Sequence, residues 1–363
     1  MKKLMMGIVL VLLIGVAGSP AAAATDLTKG HGFYEEISYL MEQEILNGYP
    51  DGTVRPDAIV TRGEAAIMIG HMEDLDGTQR DTPFSDVKKG QKASGFIAEA
   101  QEAGYINGYP DGTFRPDAPI TRGDMAIILA QVFPTPFSVT ADFTDVSPNM
   151  KAYEAISEIL SVNITIGYSD HTFQPTAHVT RGQFSAFLAR GLEPEFKNDA
   201  RIPHSYMKDK TKTYTYNTGT HGIETHTYQY TKSPADEPIG FSWARHVPAI
   251  NETYIYGEVE TRKNLIHAYP VVDRFDPPLL AYPIKVGTTH SIYPSAEGQP
   301  LTPSDVTHTI TAVGVTVETP YRTFTNAVEV TVEFGYKEYF VEGFAKVKTV
   351  NDNGTVFELI DVE

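Results

Sequence analysis

Residues 47–64 read NGYPDGTVRPDAIVTRGE. The phrase returns over residues 107–124 as NGYPDGTFRPDAPITRGD, identical at 14 of 18 positions, and more loosely over residues 166–183 as IGYSDHTFQPTAHVTRGQ. The arginines near the end of each copy, Arg62, Arg122 and Arg181, stand 60 and 59 residues apart. A fixed period of this size marks a repeat architecture, in which each unit buries its apolar face against its neighbours.

Each copy carries the same local signals. Pro-Asp-Gly predicts a tight turn, with glycine where φ must be positive. Arg-Pro or Gln-Pro then keeps the chain extended, because the residue before proline avoids the helical region. Thr61, Thr121 and Thr180 are followed three residues on by Glu, Asp or Gln and then by an apolar run, the pattern of a capped helix start. Each arginine then occupies the first helical position. There it would lie beside unpaired N–H groups at the positive helix end, a setting that suits an anion.

The motifs Phe-Ser-Asp-Val (Phe84–Val87) and Phe-Thr-Asp-Val (Phe143–Val146), the three Gly-Tyr-x-Asp turns and the three Thr-Arg-Gly starts resemble the S-layer homology family over about Asp26 to Leu192. The resemblance implies a pseudo-threefold helical domain that binds the secondary polysaccharide of Gram-positive cell walls, often through a pyruvylated sugar whose carboxylate meets the arginine. It implies as binding residues Arg62, Arg122 and Arg181, with the turn pairs Gly48 and Tyr49, Gly108 and Tyr109, and Gly167 and Tyr168. The repeats are expected over 25–82, 83–141 and 142–195. The third departs from the pattern: Ile166, Ser169, His171 and Gln174 replace Asn, Pro, Gly and Arg. His171 at positive φ would be strained unless the turn differs. The altered turn is expected to make Arg181 the weakest of the three sites.

The 363 residues suffice for two or three domains. Lys2 and Lys3, the apolar run Leu4–Val16 and Ala22–Ala24 read as a signal peptide over 1–24, too short to span a membrane. No later segment approaches a span. The absence of cysteine excludes disulfides and thiolate chemistry. A net charge of −17, with 12 basic against 24 acidic residues over 25–193, argues against nucleic acid and anionic membranes. Attraction to an anionic polymer must therefore come from local arginines.

Residues 196–212, charged and proline-containing, read as a linker. Beyond it the period changes to two. Eight strands are predicted: 213–218, 224–232, 254–260, 265–272, 307–318, 327–334, 339–350 and 355–362, with Asn353-Gly354 as a hairpin turn. The fold class is multidomain α + β, a helical repeat domain followed by an antiparallel β-domain of half-barrel type. The ending of the chain is similar to C-terminal β-domains of other secreted Gram-positive proteins, which names neither an activity nor a partner. Neither Tyr-Pro-Asp-Gly-Thr nor Asn351–Gly354 has a calcium ladder. The histidines after residue 200, His204, His221, His226, His246, His267, His290 and His308, read as scattered surface residues. No Gly-x-Ser-x-Gly elbow is present. No cofactor is called for. A glycosidase pair among Glu224, Glu237, Glu252, Glu258 and Glu260 stays open. The pairs Tyr214/Tyr216, Tyr228/Tyr230 and Tyr254/Tyr256 each share a sheet face, and read either as a binding platform or as a half-buried face. The rival to a wall-anchoring protein is a wall-anchored hydrolase or a surface-layer component.

Overall fold

The structure, a computed structural model, describes residues 24–137, 139–197, 204–232, 238–268, 278–291 and 306–363. The expected signal peptide lies outside them except for Ala24. Glu237 and the expected strand end at 269–272 also lie outside them.

Each repeat is a pair of helices: α1 (Tyr34–Glu42) with α2 (Arg62–Met72), α3 (Ser94–Glu102) with α4 (Arg122–Val132), and α5 (Tyr153–Ser161) with α6 (Arg181–Leu192). The Thr61, Thr121 and Thr180 side chains accept from the N–H three residues on, as the sequence predicts. Glu64 and Gln183 return the bond to the threonine N–H, at 2.9 and 3.1 Å. Asp124 is one methylene shorter and takes the Thr121 hydroxyl instead. Asp26, Asp86 and Asp145 tie the start of each repeat to its loop. Each carboxylate accepts two successive loop N–H groups, at 2.7–2.8 Å.

The repeats close on one another around a pseudo-threefold axis. Val60 N donates to Val179 O, Ile120 N to Val60 O and Val179 N to Ile120 O, a closed ring of backbone bonds. Around it Ile37, Ile97 and Ile156, and Ile69, Leu129 and Leu188, are buried as equivalent positions of one core. The same closure overturns the expectation of free N–H groups at the helix starts. Arg62 and Gly63 donate to Ala118 O and Pro116 O, Arg122 and Gly123 to Ala177 O and Pro175 O, and Arg181 and Gly182 to Ala58 O and Pro56 O. The dipole ends are used for assembly. This approach is why the motif needs glycine: a Cβ on Gly63 would stand 3.0 Å from Pro116 O, and one on Gly182 would stand 2.6 Å from the Phe33 ring.

The second half is a single sheet of β1 (Thr213–Thr218), β2 (Gly222–Lys232), β3 (Pro238–Val247), β4 (Glu252–Glu260), β5 (Asn264–Ala268), β6 (Pro278–Ala281), β7 (Thr289–Ser291), β8 (Thr307–Glu318), β9 (Thr323–Val332), β10 (Tyr336–Val341), β11 (Ala345–Asn351) and β12 (Gly354–Val362). Its order is β6-β5-β4-β3-β2-β1-β12-β11-β10-β9-β8-β7, antiparallel throughout. The end strands β6 and β7 touch, so the sheet wraps beyond a half-barrel almost to closure. Four strands more than expected make up the difference. They are β3, β6, β7 and a split of 339–350 into two by a turn with Gly343 at φ 74°.

Aromatic side chains fill the interior. Tyr214, Tyr216, Tyr228, Trp243 and Tyr256 are buried together, so they form the core of the sheet and no binding platform; Tyr230 and Tyr254 alone of the six paired tyrosines are exposed. The expected linker is also more than a linker. From Ser205 to Lys208 it is buried, bonded to Gly343 and Ala345 of the β10–β11 turn and to the Glu258 and Glu260 carboxylates. Chain of this kind must be covered, because Tyr206 and Met207 carry apolar surface into the barrel.

The halves pack on each other. Val259 and Ala268, on the outer face of β4 and β5, join the helical core cluster. The Asn163 amide donates to Glu258 O at 2.9 Å, and Arg262 pairs with Asp142 at 3.7 Å.

Candidate binding grooves between the repeats

The three arginines are not surface hooks. Arg62, Arg122 and Arg181 are only 7, 4 and 5% exposed, each docked on the turn of the following repeat. Arg62 Nε donates to Phe114 O (2.8 Å) and Nη2 to Asn107 O (2.9 Å), with Tyr109 under the guanidinium at 5.0 Å. Arg181 reaches round to the first repeat: Nε to Val54 O (2.8 Å), Nη2 to Asn47 O (3.1 Å), and the Tyr49 ring at 4.9 Å. Arg122 lies over Tyr168 at 4.7 Å and donates from Nε to Phe173 O at 2.7 Å. The nine residues expected at the site are thus brought together as three composite grooves. Arg62 faces Gly108 and Tyr109, Arg122 faces Gly167 and Tyr168, and Arg181 faces Gly48 and Tyr49. The altered turn of the third repeat is therefore the partner of Arg122, which corrects the expectation placed on Arg181. Sequence spacing cannot show this, because the pairing runs between repeats.

The grooves differ in what remains free. Tyr49 and Tyr109 are each covered on a second side by Arg55 and Arg115, both at 3.9 Å. Gln174 replaces that arginine beside Tyr168. In the Arg181 groove Glu64 stands 3.9 Å from the guanidinium and accepts from the Tyr49 hydroxyl at 2.7 Å. Asp124 holds the same position of the second repeat, and neutral Gln183 that of the third. Glu64 thus places a carboxylate in the Arg181 groove, whereas Gln183 places none in the Arg122 groove.

The backbone differs as well. Gly167 takes φ 74°, whereas Gly48 and Gly108 are not at positive φ. Its N–H donates to the Thr165 hydroxyl at 3.3 Å, a buried threonine where the earlier copies have Leu46 and Ile106. With the peptide turned this way, no carbonyl meets the Nη atoms of Arg122. They have no hydrogen-bond partner among the described residues. They face a pocket of about 140 Å³ lined by Thr165, Gly167, Tyr168, Gln183 and Arg190. Burial pushes the Arg122 guanidinium below its ordinary pKa, and the nearby Arg190 pushes the same way. Two guanidinium groups, those of Arg122 and Arg190, line this one pocket, and no carboxylate is among its lining residues. His171 sits at φ 63° where Gly52 and Gly112 sit at 81° and 78°, so the turn keeps its geometry and histidine bears the strain.

The β half gathers charge without leaving it open. Glu258 is buried with the Lys208 ammonium and His267 on its carboxylate. Glu224 holds Arg245 at 2.8 Å and His226 at 3.2 Å, and His226 meets the Tyr256 hydroxyl at 2.7 Å. His226 and His308 are buried, which corrects the reading of the late histidines as surface residues.

Residues 25–66, 83–126 and 142–185 match the family model of the S-layer homology domain. Over 163 residues the chain is 35% identical to cell surface glycoprotein 1 of Acetivibrio thermocellus, covering 41% of this chain and 7% of that protein. It is 33% identical over 158 residues to the cellulosome-anchoring protein of the same organism, covering 41% and 35%. It is 25% identical over 264 residues to an uncharacterized cell wall amidase of Bacillus anthracis, covering 71% and 49%. The chain therefore spans under half the length of each of these relatives. No helix among the described residues is long and apolar enough to cross a membrane. Matched in sequence three times over and closed into one threefold unit, the repeats within residues 25–185 are a triplet of S-layer homology domains.

Proposed function

We infer that this secreted, cell-surface protein is held to the wall of a Gram-positive bacterium by non-covalent binding of an anionic wall polysaccharide, and that the binding groove is that of Arg122. The observation that carries the reading is the pair of unpartnered Nη groups over a pocket that lacks a carboxylate. A guanidinium fork meets a carboxylate with two parallel bonds, and a pyruvate ketal on a sugar presents that group. Tyr168 offers a ring edge to the sugar, and Gln183 offers an amide to its hydroxyls.

The test is co-sedimentation with purified walls. Arg122→Ala should weaken binding about ten- to a hundredfold, the scale of lost charge-assisted hydrogen bonds. Arg62→Ala and Arg181→Ala should chiefly lower the melting temperature, because their forks hold neighbouring carbonyls. A folded Arg122→Ala protein that sediments like wild type sinks the reading, as does equal binding to walls stripped of their non-peptidoglycan polymer.

A further inference from the structure

We propose that the β-domain is a working part of the wall-binding site: it holds the Arg122 groove open through Asn163. The inference rests on the reading of that groove as the polysaccharide site.

The three repeats serve as each other's controls. Position 163 corresponds to Glu44 and Gly104, which are exposed at the same bend, with φ of 58° and 82°. Only in the third repeat is this bend covered, and the cover is β4. Asn163 is 3% exposed, takes φ 56°, and gives its amide to Glu258 O. From there the chain runs two residues to Thr165, whose hydroxyl accepts the Gly167 N–H. That bond holds the peptide in the turned position that leaves the Arg122 Nη atoms without a carbonyl. Arg190, on the pocket wall, reaches Ile164 O between them at 3.5 Å. In the first two repeats the bend is solvated, and the Asn47 and Asn107 carbonyls fill the place of a ligand on Arg181 and Arg62. The open groove and the docked domain therefore coincide in one repeat and are joined by a continuous run of bonds. Asn163 touches neither the pocket nor a ligand; it is a positioning residue.

The experiment uses the full chain and a soluble ligand, a methyl hexoside bearing a 4,6-pyruvate ketal, so that avidity does not mask the effect. Asn163→Ala should weaken its binding about three- to tenfold with the fold retained by circular dichroism. Arg262→Ala, which loosens the same interface at its exposed rim, should bind like wild type. Gly257→Ala gives a second route if Asn163→Ala folds poorly, because its Cβ would stand 3.3 Å from Ser161 O and press β4 off α5. Thr165→Val releases the Gly167 peptide directly, so Asn163→Ala added to it should cost nothing further, a coupling that a purely structural loss would not show. Wild-type affinity in both Asn163→Ala and Gly257→Ala overturns the proposal while leaving the groove intact, and additive losses overturn the route through Thr165. If Arg122→Ala binds this ligand like wild type, the groove reading itself fails.

Discussion

The two halves bury positive charge in opposite ways. In the repeats, Arg62, Arg122 and Arg181 are buried against backbone carbonyls and aromatic faces, and among the described residues only Arg181 has a carboxylate as near as 3.9 Å. In the barrel, Lys208 is buried directly against Glu258, and the partly exposed Arg245 pairs with the buried Glu224. Carbonyl dipoles satisfy a guanidinium without cancelling its charge, so the helical half keeps its guanidinium charges. A paired carboxylate cancels the charge, as Glu258 does for Lys208.

The sharpest break of this comparison comes from removing one cation from each half. Lys208→Met leaves the Glu258 carboxylate in the barrel interior without its ammonium, held by His267 and the residue 208 N–H. Loss of one partner of a buried pair costs about 3–5 kcal/mol. Arg62→Met leaves two carbonyls short of a donor and no orphaned charge, and should cost about 1–3 kcal/mol. Trp243 is the only tryptophan and lies beneath the Lys208 ammonium at 4.6 Å, so its fluorescence reports the barrel while far-ultraviolet dichroism follows the helices. Equal destabilisation by the two substitutions would show that the two modes of burial are energetically alike.

Acid should separate the halves next. Burial pushes His226 and His267 down to about 4, against Glu224 and Glu258, which pull them up. A depressed histidine pKa means that the unfolded chain binds the proton first. The stability it supports is full above pH 6.5 and is lost as the pH falls toward 4, on the order of 3 kcal/mol per histidine. Lys208 and His267 hold the Glu258 carboxyl below its ordinary value against the burial that raises it, so its loss follows at lower pH in the same direction. In the repeats, Asp51 and Asp111 are lowered to about 2, first by their threonine neighbours, so their window opens only below 3.8. Melting monitored by Trp243 should therefore fall between pH 7 and pH 5, with helical dichroism less affected at first. A pH-independent Trp243 transition over that range would contradict the neutral, buried state of the two histidines.

What the sequence made legible follows from the range of the interactions. The turns, the threonine caps and the repeat period are local, and Thr61, Thr121 and Thr180 cap where they were expected. The β texture was legible from its period of two, yet β3 escaped although Phe241, Trp243 and Arg245 alternate with Ser242 and Ala244. The groove partners were not legible, since Arg181 meets Asn47 across 134 residues. Nor was the burial of Lys208, which a local reading of a charged, proline-containing stretch assigns to solvent. The local signal for the third groove is Thr165, a polar residue where Leu46 and Ile106 stand, which accepts from the turned Gly167 peptide.

The smallest expected effect tests how alike the three turns are. His171 replaces the glycine of the other copies yet keeps the left-handed conformation, at φ 63° against 81° and 78°. Non-glycine residues adopt this region at a cost of about 1 kcal/mol, and glycine adopts it freely. The remaining turn contacts do not need the imidazole. Asp170 still accepts from Thr172 N and Oγ1, as Asp51 and Asp111 do from Thr53 and Thr113, and the His171 N–H and carbonyl bond Tyr168 O and Thr144 N. His171→Gly should therefore stabilise the helical half by about 0.5–1 kcal/mol, less the entropy that glycine adds to the unfolded chain. Denaturant unfolding followed at 222 nm measures it, and binding of the sugar should not change because the turn already has its final shape. A destabilised variant would mean that the imidazole makes a favourable contact that outweighs its backbone strain, and that the third turn is a different structure from the first two despite its matching dihedral angle.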